Sequence, residues 1–151
     1  MAIKPYKFRL YLLRHLPFGF LAGLRIVHLD KNKAVVSLPF GYLNKNPFRS
    51  IYFASLSMAA EMASGIMALA EVMDAKVPVS MLVLTMRAEF LKKAKSKIVF
   101  ECNEGNRIVE AILQSIQTNQ GQTVELLSTG TDENGQIIAN FWFTWSFKPK
   151  Q

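Results

Sequence analysis

The stretch IYFASLSMAAEMASGIMALAEVMD, residues 51–74, decides the fold. It holds no proline, is rich in Ala, Met and Leu, and is far too long for a single strand, so it reads as one helix. Ser50 is placed to cap its start, and Pro78 blocks continuation at its far end. The helix is apolar nearly all round, which places it inside a core. On a wheel of 100° per residue, Ala54, Ser57, Ser64, Gly65 and Ala68 lie within about 60° of Glu61. These five neighbours are all small. Tyr52, Leu56, Met62, Ile66, Met67 and Met73 point elsewhere. A lone buried carboxylate has its pKa raised unless a cation or several donors sit beside it. Glu61 is therefore either a base poised near neutral pH or a structural group, paired with a cation such as Arg49 or Arg87 or held by neutral hydrogen bonds.

Working outward, residues 4–22 read as one or two short helices broken at Pro17 and Gly19. Residues 23–40 read as a hairpin turning at Asp30-Lys31-Asn32-Lys33, and 41–50 as a loop. After the central helix, Val79–Phe90 and Lys97–Cys102 read as strands. Residues 106–117 have helical spacing at Ile108, Ile112 and Ile116, with a strand as the alternative. Thr123–Thr129 and Gln136–Phe147 flank Asp132-Glu133-Asn134-Gly135, a strong hairpin signal. Phe141, Phe143, Trp145 and Phe147 share one face of the last strand, with Asn140, Thr144 and Ser146 on the other. The order predicts a single α+β domain over residues 1–151, an antiparallel sheet packed around one central helix.

The chain has 151 residues, half of them hydrophobic and 19% charged, which excludes a disordered chain. One cysteine, Cys102, excludes an internal disulfide, and with only His15 and His28 besides, no metal centre is expected. No uninterrupted apolar run approaches the ~20 residues of a spanning helix, and no signal-peptide pattern opens the sequence, so a cytoplasmic location is expected. The net charge of +7 is uneven: residues 1–49 carry nine basic side chains and one acidic. An anionic partner follows. Zinc-finger spacing and RNP-type motifs are missing, so nucleic acid is set aside.

The segment from Asn46 to Glu61, NPFRSIYFASLSMAAE, resembles the active-site segment of hotdog-fold thioesterases of the phenylacetate-pathway type. The family pattern is an Asn, then His-Gly-Gly opening the central helix, then an acid fifteen residues after the Asn. Asn46 and Glu61 reproduce the spacing, and Tyr52, Phe53 and Ala54 occupy the His-Gly-Gly positions. LTMRAEFLKKAK, residues 84–95, looks like the family's strand after the helix. ENGQIIAN, residues 133–140, looks like its final hairpin. The resemblance spans about residues 44–147. It is closest to an uncharacterised thioesterase-like branch, a domain of unknown function with an extra helix near residues 105–118.

The resemblance implies a hotdog fold and hydrolysis of an acyl-CoA thioester, with no cofactor beyond the coenzyme A of the substrate. Glu61 would be general base or nucleophile, and Asn46 would orient water or thioester. The N–H of Phe53 or Ala54 would face the developing oxyanion. Tyr52, which cannot copy a histidine's acid–base behaviour, would donate a hydrogen bond; Ser57 and Ser64 either contact substrate or fill space. Lys92, Lys93 and Lys95, in the densest basic cluster, are candidates for the CoA phosphates. A homodimer or dimer of dimers is implied, with Glu61 facing Asn46 or Tyr52 of the other chain. Two alternatives stand beside hydrolysis: a non-catalytic module binding acyl-CoA or a lipid-like acyl ligand, and a membrane-surface protein using residues 1–22.

Overall fold

The computed structural model describes residues 5–151. Lys4, included in the N-terminal helical stretch above, lies outside them. Two short helices open the chain, α1 (Pro5–His15) and α2 (Pro17–Ala22), separated where Pro17 begins the second. Gly23 ends α2 with φ +80°, a left-handed cap that turns the chain into the sheet. Strands β1 (Arg25–Leu29) and β2 (Ala34–Leu38) form the expected hairpin. Asp30 closes its turn by accepting hydrogen bonds from Asn32 N and Lys33 N at 2.8 Å. The His28 ring and these two N–H groups hold the Asp30 carboxyl at about 2.

The central helix α3 (Phe53–Asp74) is followed by β3 (Val79–Phe90), β4 (Ile98–Cys102), α4 (Gly105–Thr118), β5 (Gln122–Thr131) and β6 (Ile137–Pro149). Residues 106–117 are thus helix. All strand pairs are antiparallel, in the order β1-β2-β4-β5-β6-β3. The sheet wraps α3: Ala59, Ala60, Ala63 and Ala68 are fully buried, and Phe141, Phe143, Trp145 and Phe147 of β6 face inward. This is the α+β hotdog arrangement. α3 is long and apolar enough to cross a membrane by composition, and here it is the core.

One boundary differs from the sequence reading. α3 begins at Phe53, not at 51, and Ser50 does not cap it. The donors ahead of the helix are already committed, Ile51 N to Ala94 O at 2.8 Å and Tyr52 N to Asn44 O at 2.7 Å. Those bonds keep residues 50–52 extended, and the Ser50 hydroxyl turns back to Asn46.

α4 is seated on the β1–β2 turn by Gly105, whose N–H donates to Asn32 O at 3.0 Å. A Cβ there would lie 2.0 Å from Lys31 O and 2.6 Å from Asn32 Cα. Both are backbone atoms that cannot swing away. Gly105→Ala is expected to cost about 1–3 kcal/mol of stability, read as a lower urea midpoint; an unchanged midpoint would mean that α4 does not dock this tightly.

Candidate active site

Glu61 lies near the middle of α3, half-buried, with its Oε1 over Gly65. A Cβ on Gly65 would sit 2.9 Å from that oxygen and 3.2 Å from the Trp145 ring, so carboxylate and indole share the space the glycine leaves. The indole is fixed in turn. Trp145 Nε1 donates to Ser64 Oγ at 3.0 Å, and Ser64 Oγ donates to the Glu61 backbone carbonyl at 3.1 Å. Ser64 is fully buried with both capacities used, so it holds Trp145 against the helix and offers no free proton to a ligand.

Among the described residues the Glu61 carboxylate has neither an ion pair nor a side-chain hydrogen bond. Arg87, a candidate partner, instead stacks 3.8 Å over Trp142 on the outer face of the sheet, and Arg49 is an exposed loop residue with φ 60°. Burial without compensation pushes the Glu61 carboxyl up to about 7. The other deeply placed ionisable side chain, Cys102, is pushed the opposite way from reactivity, to about 11, chiefly by burial.

A separate cleft of about 520 Å³ opens at the N-terminal end of α3. Of the residues singled out in the sequence, Asn46, Tyr52, Phe53, Lys92 and Lys93 line it. Lys95, Ala54 and Ser57 do not, and the Ser57 hydroxyl is turned back to Phe53 O at 2.9 Å. α3 has no side-chain cap and no acidic residue in its first turn, and the N–H groups of Phe53 and Ala54 precede its first internal bonds. Lys92 reaches Gln136 across the rim, and Lys93 lies 6.0 Å over the Phe48 ring.

Asn46 shapes this cleft before it can serve a ligand. Its Oδ1 accepts from Phe48 N at 3.0 Å and from Ser50 N and Oγ at 3.2 Å, so only the amide N–H₂ faces outward as a donor. Asn44 is the residue that sequence reasoning missed. It is 3% exposed, its Nδ2 donates to Ala22 O and Pro39 O, and it ties the loop to the end of α2. An Asn in a polar loop carries no signal that distinguishes such an anchor from a surface residue.

Glu61 and the cleft are brought to the same helix but not to the same place. Eight residues separate Phe53 from Glu61, about 12 Å along the axis. Glu61 lies instead against Trp145 of β6, whose register partner is Val83 of the edge strand β3. The acid is therefore one strand from the open side of the sheet.

Comparison with known proteins fixes the family. The model of a domain of unknown function, DUF4442, matches residues 6–147. The chain belongs to that family. No curated protein matches it. Among solved structures, the DUF4442 chain is similar to a protein of unknown function from Pseudomonas aeruginosa described as a probable thioesterase. The two share 22% identity and a TM-score of 0.82, over 97% of both chains. A protein of unknown function from Chlorobaculum tepidum is similar at 15% identity and TM-score 0.81, over 96% of this chain and 94% of the other. A thioesterase from Haemophilus influenzae is similar at 11% identity and TM-score 0.67, over 99% and 93%. At these identities the likeness is one of fold, the hotdog arrangement described above.

Proposed function

We propose that the protein hydrolyses acyl-CoA thioesters as a homodimer, with Glu61 as the residue that activates water or attacks the thioester carbon. The observation that carries the reading is the Glu61 carboxyl, half-buried, unpaired and held at about 7. A group poised there takes a proton from water and returns it to the leaving thiolate within the working pH range. In the nucleophilic version the same carboxylate attacks the thioester carbon, the C–S bond breaks with departure of the CoA thiolate, and water then opens the mixed anhydride to the free acid and Glu61. In both, the oxyanion is met by the free N–H groups at the start of α3, and thioester and water are oriented by the Asn46 amide and the Tyr52 hydroxyl.

The separation of acid and cleft supports a two-chain site. β3 pairs with β6 on one side only. It is twelve residues long and exposes Leu82, Leu84, Met86 and Phe90. A long apolar edge is a template for another strand. Two copies joined β3 to β3 would form one continuous sheet and set Glu61 of one chain toward Asn46 and Tyr52 of the other. A shift of register between Val83 and Thr85 brings Met86 and Phe90 to the inward side of the edge, where Phe90 meets Phe53 edge-on with ring centroids 6.5 Å apart. This uncovered apolar strip suits an acyl chain.

Lys92 and Lys93 stand at the mouth for the CoA phosphates, and Lys95 stands outside it. Lys92→Ala/Lys93→Ala is expected to raise KM about tenfold with kcat retained, since the phosphates are bound alike in ground and transition states. Initial rates over a range of acyl-CoA concentrations read this directly; a fall in kcat at constant KM would move the phosphates elsewhere.

Phe53 and Ala54 in place of two glycines favour a second reading, a binding module without turnover. The Phe53 ring stands exposed at the cleft beside Tyr52, their centroids 5.0 Å apart, where a carbonyl would have to approach. Thiol release from short, medium, long and aryl acyl-CoAs, with binding measured in the same samples, separates the two. Turnover supports hydrolysis, and saturable binding without thiol release supports the module.

A further inference from the structure

The N-terminal helices present an apolar surface to solvent that the thioester reading leaves unused. On α1, Phe8 and Leu12 are buried and face the domain. Tyr6, Leu10 and Leu13 fall within about 60° of the opposite direction and are 51–65% exposed. An ordinary surface helix is polar there. Phe18 and Leu21 of α2 extend the exposed set, at 76% and 59%. Cations flank the stripe, Arg9 on one side and Lys7 and Arg14 on the other. The first acidic residue of the whole chain is Asp30.

A second observation lies beside this face. A cavity of about 350 Å³ is lined by Arg9, Arg25, Lys97, Phe20 and Ser37 among others, and no acidic side chain contributes to it. Arg9 sits 5.2 Å over the Phe20 ring. None of the three cations is in an ion pair among the described residues, and residues 1–4 contain no acid that could supply one. Two arginines, a lysine and a serine lining one cavity with no acid among them are the residue types of a phosphate site.

We propose that α1 and α2 dock on an anionic lipid bilayer, with Tyr6, Leu10, Leu13 and Phe18 entering the interface and the Arg9–Arg25–Lys97 cavity receiving a lipid phosphate. Apolar side chains flanked by cations are the composition of an interfacial helix, whose long basic side chains reach back to the headgroups. A second copy of the chain fits this face poorly, because a two-fold contact would set its uncompensated cations against themselves.

Co-sedimentation of the full chain with phosphatidylcholine vesicles, with and without phosphatidylglycerol, tests the proposal without reference to turnover. Binding is expected only to the anionic vesicles and is weakened by salt. Lys7→Gln/Arg9→Gln is expected to lower the partition coefficient about 25-fold, from about fivefold per cation near an anionic surface. Leu10→Gln/Leu13→Gln/Phe18→Gln is expected to abolish binding, with an unchanged urea midpoint because all three side chains are exposed. A wild-type chain that stays in the supernatant with both vesicle types overturns the proposal, as does a triple variant that still binds. Sedimentation velocity of the same variant covers the remaining occupant: loss of an oligomer without any lipid binding by the wild type assigns the face to self-association.

Discussion

Glu61→Gln is expected to slow thioester hydrolysis by about three orders of magnitude, the scale of a positioned general base, and to make the protein more stable at pH 8. The two effects have one cause. In the fold the carboxyl titrates at about 7, against 4.5 when exposed. Between those values the folded chain holds a proton that the unfolded chain has lost, so stability falls as pH rises through this window. Below pH 4.5 both states are protonated and no penalty applies. Above 7 both are ionised, and the folded state bears the full cost, about 3 kcal/mol. Glutamine is neutral throughout and removes the slope. Urea midpoints of the two proteins should therefore coincide near pH 4 and diverge toward pH 8, with the variant the more stable. Parallel curves would show that the carboxylate is compensated in solution and is not a poised base.

If two chains join through β3 as proposed, Leu82→Lys/Leu84→Lys is expected to yield monomers and to abolish turnover, although neither residue is near Glu61 in sequence. Both side chains are exposed on the open edge β3, so the folded monomer tolerates them. Antiparallel pairing of two such strands would bring lysines near lysines across the joint. Sedimentation velocity reads the mass, and thiol release reads the activity. Complementation makes the shared site visible. Glu61→Gln and Asn46→Ala proteins, each inactive alone, should regain about a quarter of wild-type activity when refolded together, because half the dimers are mixed and each mixed dimer has one intact site. Monomeric, fully active Leu82→Lys/Leu84→Lys protein would place the whole site within one chain.

The architecture was open to the sequence where local chemistry and burial agree. Residues 53–74 combine helix-forming side chains with an apolar surface on every side. The turn at Asp132–Gly135 shows itself because Gly135 takes φ +75° and Asp132 Oδ1 closes the turn onto Asn134 N and Gln136 N. The isolation of Glu61 was equally readable, since residues 51–74 offer it no basic side chain. What stayed hidden depends on partners distant in sequence. Ser50 has the composition of a cap, yet Ala94 and Asn44 claim the donors beyond it and delay the helix by two residues. The extra residue in β3 at Leu84, which turns Met86 and Phe90 inward, follows from pairing with β6 and has no glycine or proline to announce it. The role of Asn44 rests on carbonyls at Ala22 and Pro39 that no local pattern connects to it.

The most direct measurement is the pH dependence of kcat/KM for the best acyl-CoA, taken on wild type and Glu61→Gln side by side. In the proposed mechanism the ionised carboxylate is the active form, so the wild-type rate should rise with pH and level off above a midpoint near 7, while the residual rate of the variant should show no inflection there. Equal turnover by the two proteins, with the same profile, would contradict the assignment of Glu61 as the residue that drives hydrolysis.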